Sequence, residues 1–251
     1  LRGTAADGSP VVYMARVRTG AGGWEYSVSG ALVGTHGQTK FVLVDQDLDG
    51  TYGEVGEDAL VVGRGKDATY HSSVVLVEGS LYTTRLDTND DGPVLVLDPY
   101  TGATGTLDVV GAFETKAKIQ SIQVVGGDDT IFLDLAREDR GAPVPVGEYR
   151  IEQGRLVLGD AHVTIANGRA KPMVVTEGEV TRPELGGPVR AEFAMGHAGS
   201  DFQFTPDGIW WYGRSGEEYY DWYPLGLSPR FVVFDTKSGE ELGATSFAGS
   251  S

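Results

Sequence analysis

The chain has 251 residues, a formal net charge of −16 and no cysteine. That charge repels phosphate backbones and anionic membranes, which argues against nucleic acid as a partner, and it attracts divalent cations. The lack of cysteine removes disulfides, thiolate zinc sites, iron–sulfur clusters and cysteine nucleophiles. An acidic surface also keeps secreted proteins soluble, so charge alone leaves cation binding and plain solubility both open. No apolar run approaches the roughly 20 residues of a membrane span. Hydrophobic residues at 40% and charged residues at 22% predict a packed core. The start at Leu1 rather than Met fits a processed mature protein or a trimmed chain.

Alternating or β-branched runs predict strands throughout, and no stretch reads as an amphipathic helix. In chain order they are Val11–Arg18, Trp24–Val33, Lys40–Val44, Ala59–Val62, Ser73–Glu78, Ser80–Leu86, Val94–Leu97 and Gly105–Val110. There follow Lys116–Val125, Thr130–Leu135, Gly147–Gln153, Arg155–Leu158, His162–Ala166, Pro172–Thr176 and Val189–Met195. Asp201–Thr205, Gly208–Tyr212, Pro229–Asp235 and Glu241–Phe247 complete the set. Short strands at a spacing of roughly 8–12 residues predict β-sandwiches or barrels. Asp49-Gly50, Asp91-Gly92, Asn167-Gly168, Asp207-Gly208 and Ser238-Gly239 read as turns. Breaks near Gly111–Glu114 and Thr181–Pro188 predict three units, at 1–113, 114–183 and 184–251.

Two acidic turns stand out. The Phe41–Val44 run leads straight into Asp45-Gln46-Asp47-Leu48-Asp49-Gly50. Carboxylates at positions 1, 3 and 5 converge on a hard cation such as Ca2+, glycine at 6 permits a sharp turn, and the Thr51 carbonyl would supply position 7. Position 12 is Gly56 instead of a bidentate Glu, so Glu54, Glu57 and Asp58 are the expected substitutes. A strand stands where an EF-hand has a helix, which excludes that motif. The competing reading is a solvated Asx turn. Asp87-Thr88-Asn89-Asp90-Asp91-Gly92 repeats the pattern with Asp98 at position 12, making Asp87, Asn89 and Asp91 a second candidate set. Its flanks also read as a β-hairpin closed by Asp-Gly.

The stretch Val42–Gly53 followed by Gly56-Glu57-Asp58-Ala59-Leu60 resembles a signature of secreted, planctomycete-like bacterial β proteins: an acidic turn, then Asp-Gly-x-Tyr-Gly. Leu81-Tyr82, Asp91-Gly92 and Pro99-Tyr100-Thr101-Gly102 are similar to the hairpin that follows it. Val144-Pro145-Val146-Gly147-Glu148-Tyr149 resembles a strand of prealbumin-like sandwiches. Gly213–Tyr219 with Pro229–Asp235 is similar to an immunoglobulin-like module. These resemblances imply an all-β chain of two to three sandwich modules, secreted or at the cell surface, with a cation loop at Asp45, Asp47 and Asp49. They imply no catalytic residue.

His36, His71, His162 and His197 show no metal-ligand spacing. Trp210, Trp211, Tyr212, Tyr219, Tyr220, Trp222 and Tyr223 crowd one segment. Trp211, Tyr219 and Trp222 are candidates for a protein interface or for stacking on sugar rings, against the simpler reading that they pack a core. The leading expectation is a calcium-stabilised extracellular structural or adhesive protein that forms homo-oligomers or filaments by strand addition from Val11–Arg18. A polysaccharide-binding accessory module is the alternative, and a carboxylate-dependent hydrolase comes third.

Overall fold

A computed structural model of the chain describes residues 2–4, 8, 10–12, 15–20, 23–28, 31–47, 49, 51–63, 67–89, 92–199, 201–224 and 230–246. Strands dominate, almost all of them antiparallel, and Val109–Ala112 is the single helical turn among the described residues. Asp108 caps that turn by accepting the Gly111 N–H at 3.0 Å.

Two sheets in the N-terminal half face one another. One has the strand order Leu32–His36, Thr39–Val44, Ala59–Val62, Thr69–Tyr70. The other runs Gly92–Pro99, Ser80–Asn89, Val74–Val77. Along Thr39–Val44, Thr39, Phe41 and Leu43 are buried while Lys40 points to solvent, the two-residue period of a half-buried strand. Phe41, Leu43 and Leu60 from the first sheet meet Val75 and Val77 from the second, with Tyr52, Tyr82 and Leu86 at the margin. That shared apolar layer makes the pair a sandwich.

The strand Val74–Val77 is buried on both faces, because Val74 joins the main core on its other side. That core lies beneath an eight-stranded sheet. Its order is Ile131–Asp134, Lys118–Gly126, Gly147–Leu158, Ala161–Ala166, Glu218–Tyr223, Asp201–Tyr212, Arg190–Ala198, and Met173–Val175 pairs with the middle of it. Ile122, Val124, Ile151, Ile165 and Tyr219 from this sheet pack with Leu107, Ala142 and Val144 of a three-stranded sheet. Neither expected boundary separates these layers. Thr104–Leu107 pairs with Ala142–Pro145 and Val180–Thr181, across 113. Ala161–Ala166 pairs with Glu218–Tyr223, across 183. Turn-rich composition marks where the chain leaves a strand, whereas the core decides which strands share a sheet.

Two further departures have local causes. Gly147–Leu158 is one strand running through Gly154, where a break was expected. A Cβ there would come within 2.6 Å of Ile165 and 2.7 Å of Ile122, so the glycine makes room for the core instead of turning the chain. Ala142–Pro145 is a strand that its two prolines conceal. It lies at the edge of its sheet, where a missing N–H costs nothing.

Candidate metal centre

The residues 45–58 connect Thr39–Val44 to its antiparallel neighbour Ala59–Val62, with Val44 opposite Ala59. Asp58 clasps this loop from inside and is fully buried. Its Oδ1 accepts the Gln46 N–H at 3.1 Å, and its Oδ2 accepts those of Gly53 at 2.5 Å and Glu54 at 3.2 Å. One carboxylate thus ties the start of the loop to its far side. The His71 N–H donates to the Asp58 carbonyl at 2.6 Å, and the Gly56 N–H to the His71 carbonyl at 2.9 Å, which closes the loop against the sandwich. Gly53 has φ +88°, and a Cβ there would stand 3.0 Å from Leu86 Cβ, so both backbone and space require glycine.

The curled loop gathers carboxylates into two groups that share Asp47. Asp45, Asp47 and Asp49 offer oxygens within 4.8 Å of one another, and so do Asp47, Glu54 and Glu57. Oxygens bound at about 2.4 Å to one calcium ion lie no more than about 4.8 Å apart, so each group fits a single hard cation. The donors are all oxygen, which suits calcium or magnesium rather than zinc. Asp45 is fully buried, Asp49 half-buried and Asp47 exposed. Asp49 Oδ1 accepts the Thr51 N–H at 2.6 Å, and Asp47 Oδ1 accepts the Asp49 N–H at 3.3 Å. Of the expected ligands, Asp45, Asp47, Asp49, Glu54 and Glu57 come together. Thr51 braces Asp49, and Asp58 is engaged by backbone donors and belongs to neither group. Gly50 lies outside the described residues.

Two of these carboxyls, Asp47 and Glu54, are held above their ordinary range. Burial, then the neighbouring Asp49 and Asp45 charges, hold the Asp47 carboxyl above its ordinary range against the pull of the Asp49 N–H. Burial followed by the charges of Asp49, Glu57, Asp47 and Asp58 does the same to Glu54. Glu54 Oε2 is buried with no hydrogen-bond partner. Among the described residues no Lys or Arg pairs with Asp47, Asp49, Glu54 or Glu57. A divalent cation would relieve these like charges at once.

The second acidic turn is built differently. Ser80–Asn89 and Gly92–Pro99 stay paired up to Asn89 opposite Gly92, so Asp87 and Asn89 sit on an extended ladder. Arg85 forms ion pairs with Asp87 and, at 3.7 Å, with Asp98. Asp91 lies outside the described residues. The aromatic segment also divides. Tyr219, a candidate for an interface or for sugar stacking, is core: it is 4% exposed and its hydroxyl donates to Glu217 at 3.2 Å. Trp211 packs against the core, and Trp222 stays 39% exposed beside both, with ring centroids at 6.1 and 6.2 Å.

Two buried polar groups carry no signal in the linear sequence. His71 is 1% exposed, with Nε2 3.3 Å from Thr84 Oγ1 and Nδ1 without a partner. Burial holds its imidazole below the ordinary value, while the Gly53 backbone and Asp58 pull the other way. Glu217 repeats the Asp58 arrangement later in the chain. Its Oε1 accepts the Gly186 N–H at 2.6 Å and its Oε2 the Ser215 N–H at 3.0 Å.

Fold and site together define an all-β sandwich-type protein with a loop, at a strand-to-loop junction, whose clustered carboxylates could hold a metal ion. No protein-family model, curated protein or solved structure matches the chain.

Proposed function

We propose that the protein is an extracellular or cell-surface structural β protein whose loop 45–58 binds Ca2+ and thereby braces the N-terminal sandwich. The observation that carries this reading is the pair of carboxylate groups joined at Asp47. A cation in the first group would tie Asp45, at the end of a core strand, to Asp47 and Asp49, and one in the second would tie Asp47 to Glu54 and Glu57 on the returning arm. The test is thermal melting with calcium and with chelator, on the natural chain and on Asp47→Asn. Calcium should raise Tm in the first and not in the second. A Tm indifferent to calcium in the natural chain rejects the reading.

Assembly with copies of itself is part of the same proposal. Three two-stranded ribbons support it: Arg2–Thr4 with Pro10–Val12, Ala15–Gly20 with Gly23–Val28, and Arg230–Phe234 with Glu241–Ser246. A lone two-stranded ribbon is marginal in water and gains most from a neighbour. Trp24 at 78% exposed and Leu242 at 63% give such a neighbour apolar surface to cover. Sedimentation velocity at rising concentration should show oligomers, and a strict monomer removes this part of the proposal.

A further inference from the structure

The outer face of the large sheet carries chemistry opposite to that of the acidic loop. Cross-strand pairing sets Arg190 opposite Tyr212, Glu192 opposite Trp210, and Glu218 opposite Tyr212. Directly opposed residues share a face. Trp211 packs on the core, so its neighbours Trp210 and Tyr212 stand on the face turned away from it, as does Tyr220 two residues beyond Glu218. The Arg169 guanidinium lies 4.1 Å from the centre of the Tyr212 ring and pairs with Glu192 at 2.6 Å. Arg214, on the adjoining turn, completes an open cleft of about 440 Å³.

Three arginines and one carboxylate line this cleft in a chain whose net charge is −16. Among the described residues Arg190 forms no ion pair. Arg169 and Arg214 each meet one carboxylate, which leaves most of their five donors unused. Glu192 answers Arg169 and Glu114 answers Arg214, so Arg190 is the guanidinium of the cleft that an incoming anion would meet first.

We propose that the cleft binds a carboxylated oligosaccharide. Guanidinium forks take carboxylates in bidentate fashion. Tyr212 lines the cleft, and Trp210 and Tyr220, at 36% and 40% exposed, stand beside it on the same face of the sheet, where aromatic rings receive the flat sides of sugars. A neutral sugar leaves Arg190 unanswered, and a small inorganic anion leaves the rings unused. A chain that repeats one carboxylate per ring answers both. The inference is independent of the calcium loop.

The test is isothermal titration of the full chain with tetragalacturonate in chelator, which prevents calcium bridging at the acidic loop. Saturable binding is expected. Arg190→Gln and Tyr212→Ala should each raise Kd about fivefold, the loss of one charge-assisted or stacking contact. Arg190→Lys, which keeps the charge and loses the fork, should fall between Arg190→Gln and the natural chain. Asp47→Asn should leave Kd unchanged, which separates this site from the calcium reading. No binding of tetragalacturonate, an unchanged Kd in Arg190→Gln, or equal affinity for maltotetraose or for a penta-aspartate peptide overturns the proposal.

Discussion

In the loop that follows Thr39–Val44, the acidic side chains at 45, 47 and 49 converge on one point. In the second motif, Asp87 and Asn89 stay on the strand Ser80–Asn89, paired with Gly92–Pro99. The difference lies in the backbone. An extended strand rises about 3.3 Å per residue, so residues two apart stand about 6.6 Å from each other, too far to share an ion from side chains held upright. The first loop curls because Asp58 draws the N–H groups of Gln46, Gly53 and Glu54 onto one buried carboxylate. In the second motif Arg85 pairs with Asp87 on its own strand and with Asp98 on the neighbouring one. An alternating acidic motif therefore gathers its carboxylates where something buried bends the chain, and leaves them spread along a strand where the ladder persists.

The contrast is most directly broken at the clasp. Asp58→Ala strands three N–H groups in or near the core and should lower the unfolding free energy by about 3 kcal/mol in urea titration. Asp58→Asn keeps one acceptor and should lose less. A loss below about 1 kcal/mol in Asp58→Ala would mean that the loop curls without it.

Calcium comes next in size. At a concentration 100-fold above Kd it should stabilise the fold by about 2.7 kcal/mol, or about 5–10 °C in Tm for a chain of this length. Asp47→Asn should remove that shift because Asp47 belongs to both groups. Glu57→Gln touches only one group and should remove part of it.

A smaller effect follows from protons. Asp47 and Glu54 have raised values in the folded chain, so the folded state binds protons more readily than the unfolded one. In chelator, the contribution of these two groups to stability should therefore rise as pH falls from neutrality through their raised values. With calcium present the sign reverses, because protons compete for the ligands. Melting curves taken at several pH values, with and without calcium, should cross. Parallel curves would remove the carboxylates from the account.

The smallest effect belongs to the second turn. Asp87→Asn breaks one exposed ion pair and should change stability by no more than about 0.5 kcal/mol, leaving the calcium shift intact. A calcium response lost in Asp87→Asn would erase the difference between the two turns.

Much of the architecture was legible in the sequence. Period-two burial in Thr39–Val44 and the apolar runs of Val74–Val77 and Lys118–Gly126 announce strands, because a half-buried sheet needs that alternation and a fully buried strand needs that continuity. The acidic motif is legible from spacing and donor chemistry, which nominate Glu54, Glu57 and Asp58 for the absent position-12 carboxylate; the fold brings Glu54 and Glu57 beside Asp47 and turns Asp58 to backbone donors. Pro143 and Pro145 hid an edge strand, and Gly154 suggested a break where the core required a missing side chain, since local propensity is silent about neighbours distant in sequence.

The sequence by itself thus determined an all-β chain, an acidic surface and the carboxylates available to a cation, because these depend on composition and on spacing within one strand or loop. Only the tertiary structure decided that strands on either side of 183 share one sheet and that Tyr219 is core. It also decided that Asp58 organises the loop while Asp47 belongs to both carboxylate groups, and that Arg169, Arg190 and Arg214 line one cleft. Each of these turns on which residues become neighbours when distant strands pair, and pairing is settled by burying the common core rather than by the order of residues along the chain.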